Sequence, residues 1–442
     1  MNKKRLRDNE NLWIFCIVIL AFLSSRIFML SMAYAYRGVS GNLQPIRELF
    51  NQWDAERYLY IIYHGYTFPI DTDPQANWAF FPAYPILVCV VKTLLMGVDG
   101  GIAGIITSDV CTIVAAFFAV KYVKLLAVTD AGEEVVSLQN PLHANWFPLS
   151  ANMRVGSVIM ALLFMWAPYT FYFHSTYTES LFIMAVVLFF YNCRQKNYLV
   201  TGCMAALASA TRIVGCLLVF ALVVELFLDY CAGCRAKEAE LAERADGAVE
   251  DNGKRRSALW VERFGKNWKL CVGFVLDVLK KPKELFAILI CPIGTFAYMI
   301  FLYFFCGDAW AFKNTQIAWR EESYFPVLGV FKAALSGQMG DFEPERYTYM
   351  AWFCIGIFIL YGYMWCRKYY SETIFGVIAL LVPLTSHVMS TCRFVVGGFV
   401  AFVGIYDLLK RYKWLRVLVG FVFLVAETYL LFMWFRESCW IM

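Results

Sequence analysis

Asn51-Gln52-Trp53-Asp54-Ala55-Glu56-Arg57-Tyr58, followed by Asn77-Trp78-Ala79-Phe80-Phe81-Pro82-Ala83-Tyr84-Pro85, are the stretches on which the architecture turns. They come after a first long apolar run and lead into an apolar piece, 80–96, that is either a full membrane crossing or a short helix at the surface. Counting 80–96 as a crossing would invert every later segment. An acidic residue set among aromatic rings and prolines just outside a first span is also where a membrane enzyme would keep a catalytic carboxylate.

The rest of the chain is built for lipid. Its 442 residues are 60% hydrophobic, 18% aromatic and only 17% charged, with a net charge of +5, which excludes an ordinary soluble domain. Apolar runs of the length that crosses a hydrocarbon core of about 30 Å recur from residue 12 to residue 435. The expected class is an all-α, polytopic integral membrane protein with about eleven transmembrane helices and juxtamembrane helices on its outer face. The first run, 12–34, is too long for a cleaved signal peptide and poor in small residues at its end, so it reads as a retained anchor. The fifteen cysteines are scattered; Cys231 and Cys234 are the close pair, and they lack a second pair of ligands for a metal.

Basic residues set the orientation. They cluster at 3–7, 121–124, 194–196, 235–283, 367–368 and 410–413, and the positive-inside rule asks for all six on the cytoplasmic side. Spans at 12–34, 102–124, 155–174, 178–193, 198–212, 213–230, 284–305, 347–366, 373–389, 394–409 and 413–435 satisfy this if 80–96 stays on the outer face. The whole chain, 1–442, then forms one transmembrane domain with outer loops at 35–101 and 307–346 and a polar cytoplasmic loop at 231–283. That polar loop reads as a linker contacting anionic headgroups. No internal repeat of 20–50 residues is visible.

Under this topology the unusual polar residues gather on the outer side: Asp54, Glu56, Arg57 and His64; His174, Tyr177 and Glu179; Asp308 and Gln316; His387 and Arg393. Asp54 lies in an expected amphipathic helix from 45 to 64, beside Trp53. Its carboxylate is either solvated or capping at an interface, or the base that deprotonates a sugar hydroxyl while the donor's lipid tail stays in the bilayer. Asp71 and Asp73 stand before Pro74 as a plain turn or a pair of oxygen ligands for a divalent ion. Glu179 reads equally as a helix cap or a site group. Arg212, set between two apolar runs, is a functional candidate by its place in the membrane, and a lipid phosphate suits its guanidinium fork. Asp308 and Gln316 fall on an expected outer amphipathic helix whose rings would stack on a carbohydrate face as readily as they would sit at an interface.

The order of these motifs carries a resemblance. Trp-Asp-Ala-x-x-Tyr-Leu-x-Ile-x-x-x-Gly-Tyr from Trp53, Ala-Phe-Phe-Pro-x-Tyr-Pro from Ala79, Tyr-Thr-Glu-Ser-Leu-Phe from Tyr177, Leu-Ala-Ser-Ala-Thr-Arg-x-x-Gly from Leu207 and Gly-Asp-x-x-Ala-Phe-x-x-x-Gln-x-x-Trp from Gly307 together resemble the PIG-V family, over about residues 26–400. Members with known roles add the second mannose to the glycosylphosphatidylinositol (GPI) precursor. The resemblance implies a GT-C fold and an inverting mannosyltransferase with its active site on the outer or lumenal face. The donor would be dolichyl-phosphate mannose or a bacterial polyprenyl counterpart, the acceptor a glycolipid or glycan, and the linkage α-1,6. By the same resemblance Asp54 is the catalytic carboxylate, Tyr177 and Glu179 line the site and Arg212 contacts the donor phosphate, while Asp308 and Gln316 match one of its motifs. Arg393, at a turn on the outer face, is a second candidate for the donor phosphate, and Trp53, Arg57 and His64 join Asp308 and Gln316 as candidates to line the site. The resemblance implies no metal or other cofactor and no nucleic-acid partner. The chain would sit in the plasma membrane of a bacterium or the endoplasmic reticulum membrane of a eukaryote. A rival class is a membrane transporter or lipid-linked sugar flippase, which also needs charged groups within a helical bundle.

Overall fold

The structure is a computed structural model and describes residues 3–68, 76–130, 151–245, 259–315, 327–338, 344–385 and 387–438. All regular structure among them is helical. In chain order α1 (Lys3–Ser40), the short α2 (Ile46–Phe50), α3 (Asp54–His64) and α4 (Ala83–Leu94) lead into α5 (Gly100–Asp130). Next come α6 (Ala151–Trp166), α7 (Glu179–Arg194), α8 (Tyr198–Thr211), α9 (Leu218–Ala245), α10 (Leu259–Leu279), α11 (Pro282–Ile290) and α12 (Ile293–Cys306). The chain closes with α13 (Ala311–Asn314), α14 (Val327–Ser336), α15 (Pro344–Cys366), α16 (Tyr370–Leu384), α17 (Thr391–Gly397), α18 (Val400–Arg411) and α19 (Lys413–Phe435).

Five stretches are long and apolar enough to cross a bilayer: Asn9–Ser40, Gly100–Leu126, Ile213–Glu238, Glu345–Cys366 and Lys413–Phe435. The pairs α11–α12, bent by 42°, and α17–α18, bent by 71°, raise the number to seven if each pair is one span. The protein is therefore a helical membrane protein. The twelve-residue α4 rises only about 18 Å, short of the hydrocarbon core, as expected for the 80–96 piece.

At the centre α5 packs against α7, α6, α4 and α1. Helix α7 is apolar nearly all round and buried nearly all round, the expected pairing for a helix enclosed by its neighbours. Beside it α8 carries small residues that let other backbones come close. A Cβ added at Gly202 would sit 2.9 Å from Ala287 Cα, and one at Gly294 would sit 2.3 Å from the Ala206 carbonyl oxygen, so α11 and α12 lie directly on α8. Gly215 folds back on α8 itself, with the Ala208 carbonyl carbon 2.2 Å from where its Cβ would be.

Basic clusters meet at one end of this bundle. Arg194, at the end of α7, lies 3.0 Å from both Glu225 of α9 and Glu372 of α16, and the Tyr122 hydroxyl of α5 also bonds Glu372. Nearby Asp407 of α18 accepts from Tyr363 at 2.5 Å, Arg411 at 3.1 Å and Arg367 at 3.2 Å. Lys124 pairs with Glu10 at the start of α1.

Three sequence expectations are corrected. The helix expected over 45–64 breaks at 51–53 into α2 and α3, because Asn51 turns its side chain to the Thr176 backbone and Trp53 takes a left-handed φ of 57°. The span expected over 155–174 ends as an α-helix at Trp166 and continues through a turn into a 3₁₀ segment, Thr170–His174, held by Glu427 of α19. The span expected over 394–409 is kinked at Phe399, whose φ is 67°. The fourteen cysteines in the described residues are all free. Asp71 and Asp73, readable as a turn or as a pair of oxygen ligands, lie outside the described residues.

Gly215→Ala forces its methyl into the α8 backbone and should destabilise the folded protein by about 1–3 kcal/mol, the usual cost of overpacking, read as earlier thermal unfolding in detergent.

Candidate active site

Four ionised side chains from four separate elements meet at the start of α7. Glu179 opens the helix and is fully buried. Arg212, at the end of α8, pairs with it and also donates through Nε to the Thr178 hydroxyl at 2.8 Å. Arg393 of α17 sits with Nε 2.9 Å from the same Glu179 oxygen and donates through Nη1 to Asp54 Oδ2 at 2.6 Å. Two cations and two anions balance. The balance decides that these groups can stay charged out of water, since an unpaired buried charge would cost several kcal/mol.

The members are not equally accessible. Side-chain exposure is 0% for Glu179, 12% for Arg212, 14% for Arg393 and 34% for Asp54. Asp54 is thus the most exposed of the four, and Glu179 the most enclosed. The planes of the guanidinium groups find aromatic faces as well. Arg393 lies 5.4 Å from the Tyr177 ring centroid, and Arg212 lies 5.4 Å from that of Phe394.

Each of these elements is entered through strained backbone. Left-handed φ values occur at Trp53 (57°) before Asp54, at Tyr169 (71°) before the 170–178 loop, at Ser390 (62°) before α17 and at Phe399 (67°) after it. For bulky L-residues such conformations cost about 1–3 kcal/mol each, and they persist where surrounding packing fixes them. Here the fixing contacts are visible. The Thr176 backbone N–H donates to Asn51 Oδ1 at 2.8 Å, and the Tyr177 hydroxyl donates to the Gln52 carbonyl at 2.9 Å. Trp434 Nε1 donates to the Leu49 carbonyl at 2.8 Å. Burial holds the Tyr177 phenol well above its ordinary pKa and pushes Tyr58 up to about 12, so both act as neutral hydroxyl donors.

Buried polar atoms of these residues and their neighbours with no hydrogen-bond partner among the described residues include Glu179 Oε2, Ser180 Oγ, Trp53 Nε1 and Arg393 Nε, the last close to Glu179 but outside hydrogen-bond geometry. Such groups are uncommon in native proteins and mark positions where a ligand group or water completes the bonding.

Of the residues expected from the sequence, Asp54, Arg393, Glu179 and Arg212 form one ion-paired group, with Tyr177 against Arg393, while the neighbouring Trp53 packs on the hydrophobic core. His64 stands exposed at the far end of α3 with its ring on Tyr60, and Arg57 lies one turn beyond Asp54. Asp308 is used locally, accepting from the Trp310 backbone at 2.8 Å and from Asn314 at 2.7 Å to cap α13. Gln316 lies outside the described residues. His387 packs on Tyr347.

Sequence reasoning passed over a second cluster. Arg26 of α1 donates to Asp109 of α5 at 2.8 Å, and Asp109 lies 3.0 Å from His174 Nδ1. The cluster clamps the loop that carries Tyr177 and Thr178. Its signal was present, because Arg26 and Asp109 are ionisable residues inside apolar runs, the same criterion that picked out Arg212. No group of three or more His, Cys, Asp or Glu suited to a metal occurs among the described residues. No known family model matches the chain, and no curated protein matches it.

Glu179→Gln leaves two arginines facing one carboxylate and should cost about 3–5 kcal/mol of stability. Adding Arg212→Gln should recover part of that loss, and thermal unfolding of both variants in detergent measures the difference.

Proposed function

We propose that the protein is a GT-C-type glycosyltransferase that moves mannose from a polyprenyl or dolichyl phosphate to a glycolipid or glycan acceptor, through an α-1,6 linkage as in GPI-anchor biosynthesis. The observation that carries the reading is the Asp54–Arg393–Glu179–Arg212 group. It sets a carboxylate at the accessible edge of a buried guanidinium pair, which is the chemistry needed to deprotonate a hydroxyl beside a departing phosphate.

In this reading the acceptor hydroxyl attacks the anomeric carbon of mannose as the bond from that carbon to the phosphate oxygen breaks, so the configuration inverts. Asp54 takes the hydroxyl proton, and the lipid phosphate leaves with the bonding electrons against Arg393 and Arg212. The Arg393–Asp54 pair adds a coupling. Phosphate oxygens that draw Arg393 toward themselves free the Asp54 carboxylate, so the base is released when the donor is seated. The buried arginines suit a donor whose charge is one phosphate on a lipid.

The same proposal includes eleven crossings, five to seven of them by the long apolar helices and bent pairs and the rest by shorter apolar helices such as α6, α7, α8 and α16. It puts the Arg194 end in the cytoplasm and the Asp54 end in the lumen or outside, in the endoplasmic reticulum of a eukaryote or the plasma membrane of a bacterium. In a cysteine-reduced background, a cysteine at Asn42 should then react only from the outer side and one at Lys269 only from the cytoplasm; reaction of both from one side refutes the sidedness.

Asp54→Asn keeps the size of the side chain but cannot accept a proton. In nanodiscs supplied with radiolabelled polyprenyl-phosphate mannose it should bind donor and lose roughly two to four orders of magnitude in transfer. Near-normal transfer would remove Asp54 from the mechanism. A flippase would move the same lipid without breaking the sugar–phosphate bond, so released polyprenyl phosphate separates the two classes.

A further inference from the structure

Helix α10 carries Glu262, Arg263, Lys266, Lys269 and Asp277 within its 21 residues and is not among the helices long and apolar enough to cross a bilayer. One of its faces is packed. The Phe274 ring lies 5.3 Å from that of Phe227 and 5.9 Å from that of Tyr230 on α9, centroid to centroid, and a Cβ added at Gly273 would sit 2.3 Å from the Tyr230 hydroxyl oxygen. The opposite face is bare. Trp268, Val272, Val275, Leu276 and Leu279 are between 40% and 66% exposed, and their spacing sets them in one stripe about 17 Å long. Single exposed apolar residues are ordinary, but a continuous stripe calls for a partner.

The surroundings of the stripe give the chemistry of that partner. Lys269 flanks it next to Trp268, and Lys280 and Lys283 stand at the end where Leu279 closes it; all three are exposed. The helical repeat puts Asp277 on the side away from the stripe, where Lys281 holds it at 2.8 Å and also reaches Glu284 at 3.7 Å. Exposed cations therefore border the apolar face. The apolar surface also runs on toward the bilayer. Helix α11 starts at Pro282, and its exposed Phe286 and Leu289 belong to the bent α11–α12 pair that is apolar enough to cross as one span. A helix joined in this way to a span has lipid beside it, and cations along an apolar stripe match anionic headgroups above acyl chains.

We infer that α10 is a membrane-surface helix that docks on anionic phospholipids of the cytoplasmic leaflet. Its stripe from Trp268 to Leu279 lies at the boundary of headgroups and acyl chains, and Lys269, Lys280 and Lys283 meet lipid phosphates. The α9 contacts at Gly273 and Phe274 hold the helix from behind, so the stripe is presented to the leaflet by the fold itself. This surface rests on the proposed sidedness and not on the transfer reaction. Sidedness is read separately, by the reaction of a cysteine at Lys269 from one side of the membrane or the other.

The test uses the full chain in a cysteine-reduced background, with a fluorophore on a single cysteine at Val272, in nanodiscs of phosphatidylcholine with or without phosphatidylglycerol. A nitroxide placed high on a lipid acyl chain should quench the fluorophore, aqueous iodide should not, and phosphatidylglycerol should strengthen the lipid quenching. Lys269→Gln, Lys280→Gln and Lys283→Gln should each weaken the phosphatidylglycerol-dependent part about fivefold. Leu276→Asp, on the bare face, should abolish lipid quenching with thermal unfolding unchanged. Quenching by iodide in both kinds of disc would show water on the stripe and overturn the inference. So would shielding from both quenchers that disappears at one chain per disc, since a second copy would then cover the stripe. Stronger quenching by a nitroxide near the bilayer centre would make α10 a buried segment and overturn its place at the surface. Lipid quenching that is equal with and without phosphatidylglycerol, and equal in the lysine variants, would overturn the anionic partner.

Discussion

The carboxylate of Glu179 is the constraint on which the rest of the site depends. It is fully buried at the first turn of α7, and two arginines from distant parts of the chain converge on it. One buried carboxylate facing two guanidinium groups carries an excess positive charge that the low-dielectric interior penalises. Asp54 supplies the missing negative charge across Arg393. The electrostatic balance thus joins the start of α3, the end of α8 and the first turn of α17 at one buried carboxylate.

A balanced group of this kind is stable and also exchangeable. Replacing a carboxylate by a phosphate oxygen at Arg393 conserves the charge count at the guanidinium, so an anionic ligand competes with Asp54 on similar terms instead of having to enter an uncompensated pocket. Glu179 has no comparable freedom, because it is fully enclosed and holds both arginines at once. In the proposed reaction the two carboxylates have separate parts, one an anchor and one a movable partner. Their difference in exposure, 0% against 34%, is the physical basis of that division.

Much of this was legible in the sequence where a signal is local. Apolar length located the long helices, and Arg194, Arg367, Arg411 and Lys124, from the clusters of basic residues at helix ends, each pair with a carboxylate. Arg212 was marked by its charge between two apolar runs, and Asp54, Glu179 and Arg393 by gathering on the outer side of the expected topology. Their pairing was not legible, because 339 residues separate Asp54 from Arg393 and no periodicity records such a contact. The break between α2 and α3 was hidden for a related reason. Periodicity over 45–64 favours one amphipathic helix, whereas Asn51 and Gln52 are bonded to the 170–178 loop and hold Trp53 in a conformation its own propensity opposes. Arg26 and Asp109 went unread because each lies alone in a long apolar run and gains its meaning only from the other.

These tertiary overrides explain why strain and site coincide. A continuous helix over 45–64 would carry Asp54 along one surface stripe. Breaking it at 51–53 starts a new helix at Asp54, so the first turn of α3 meets Arg393. The same device recurs in α17, where the left-handed Ser390 and Phe399 isolate a seven-residue helix that projects Arg393 into the bundle. A straight span there would give Arg393 no reason to stop beside Glu179. The strained residues are therefore the means by which an otherwise regular bundle turns two helix ends toward one buried carboxylate.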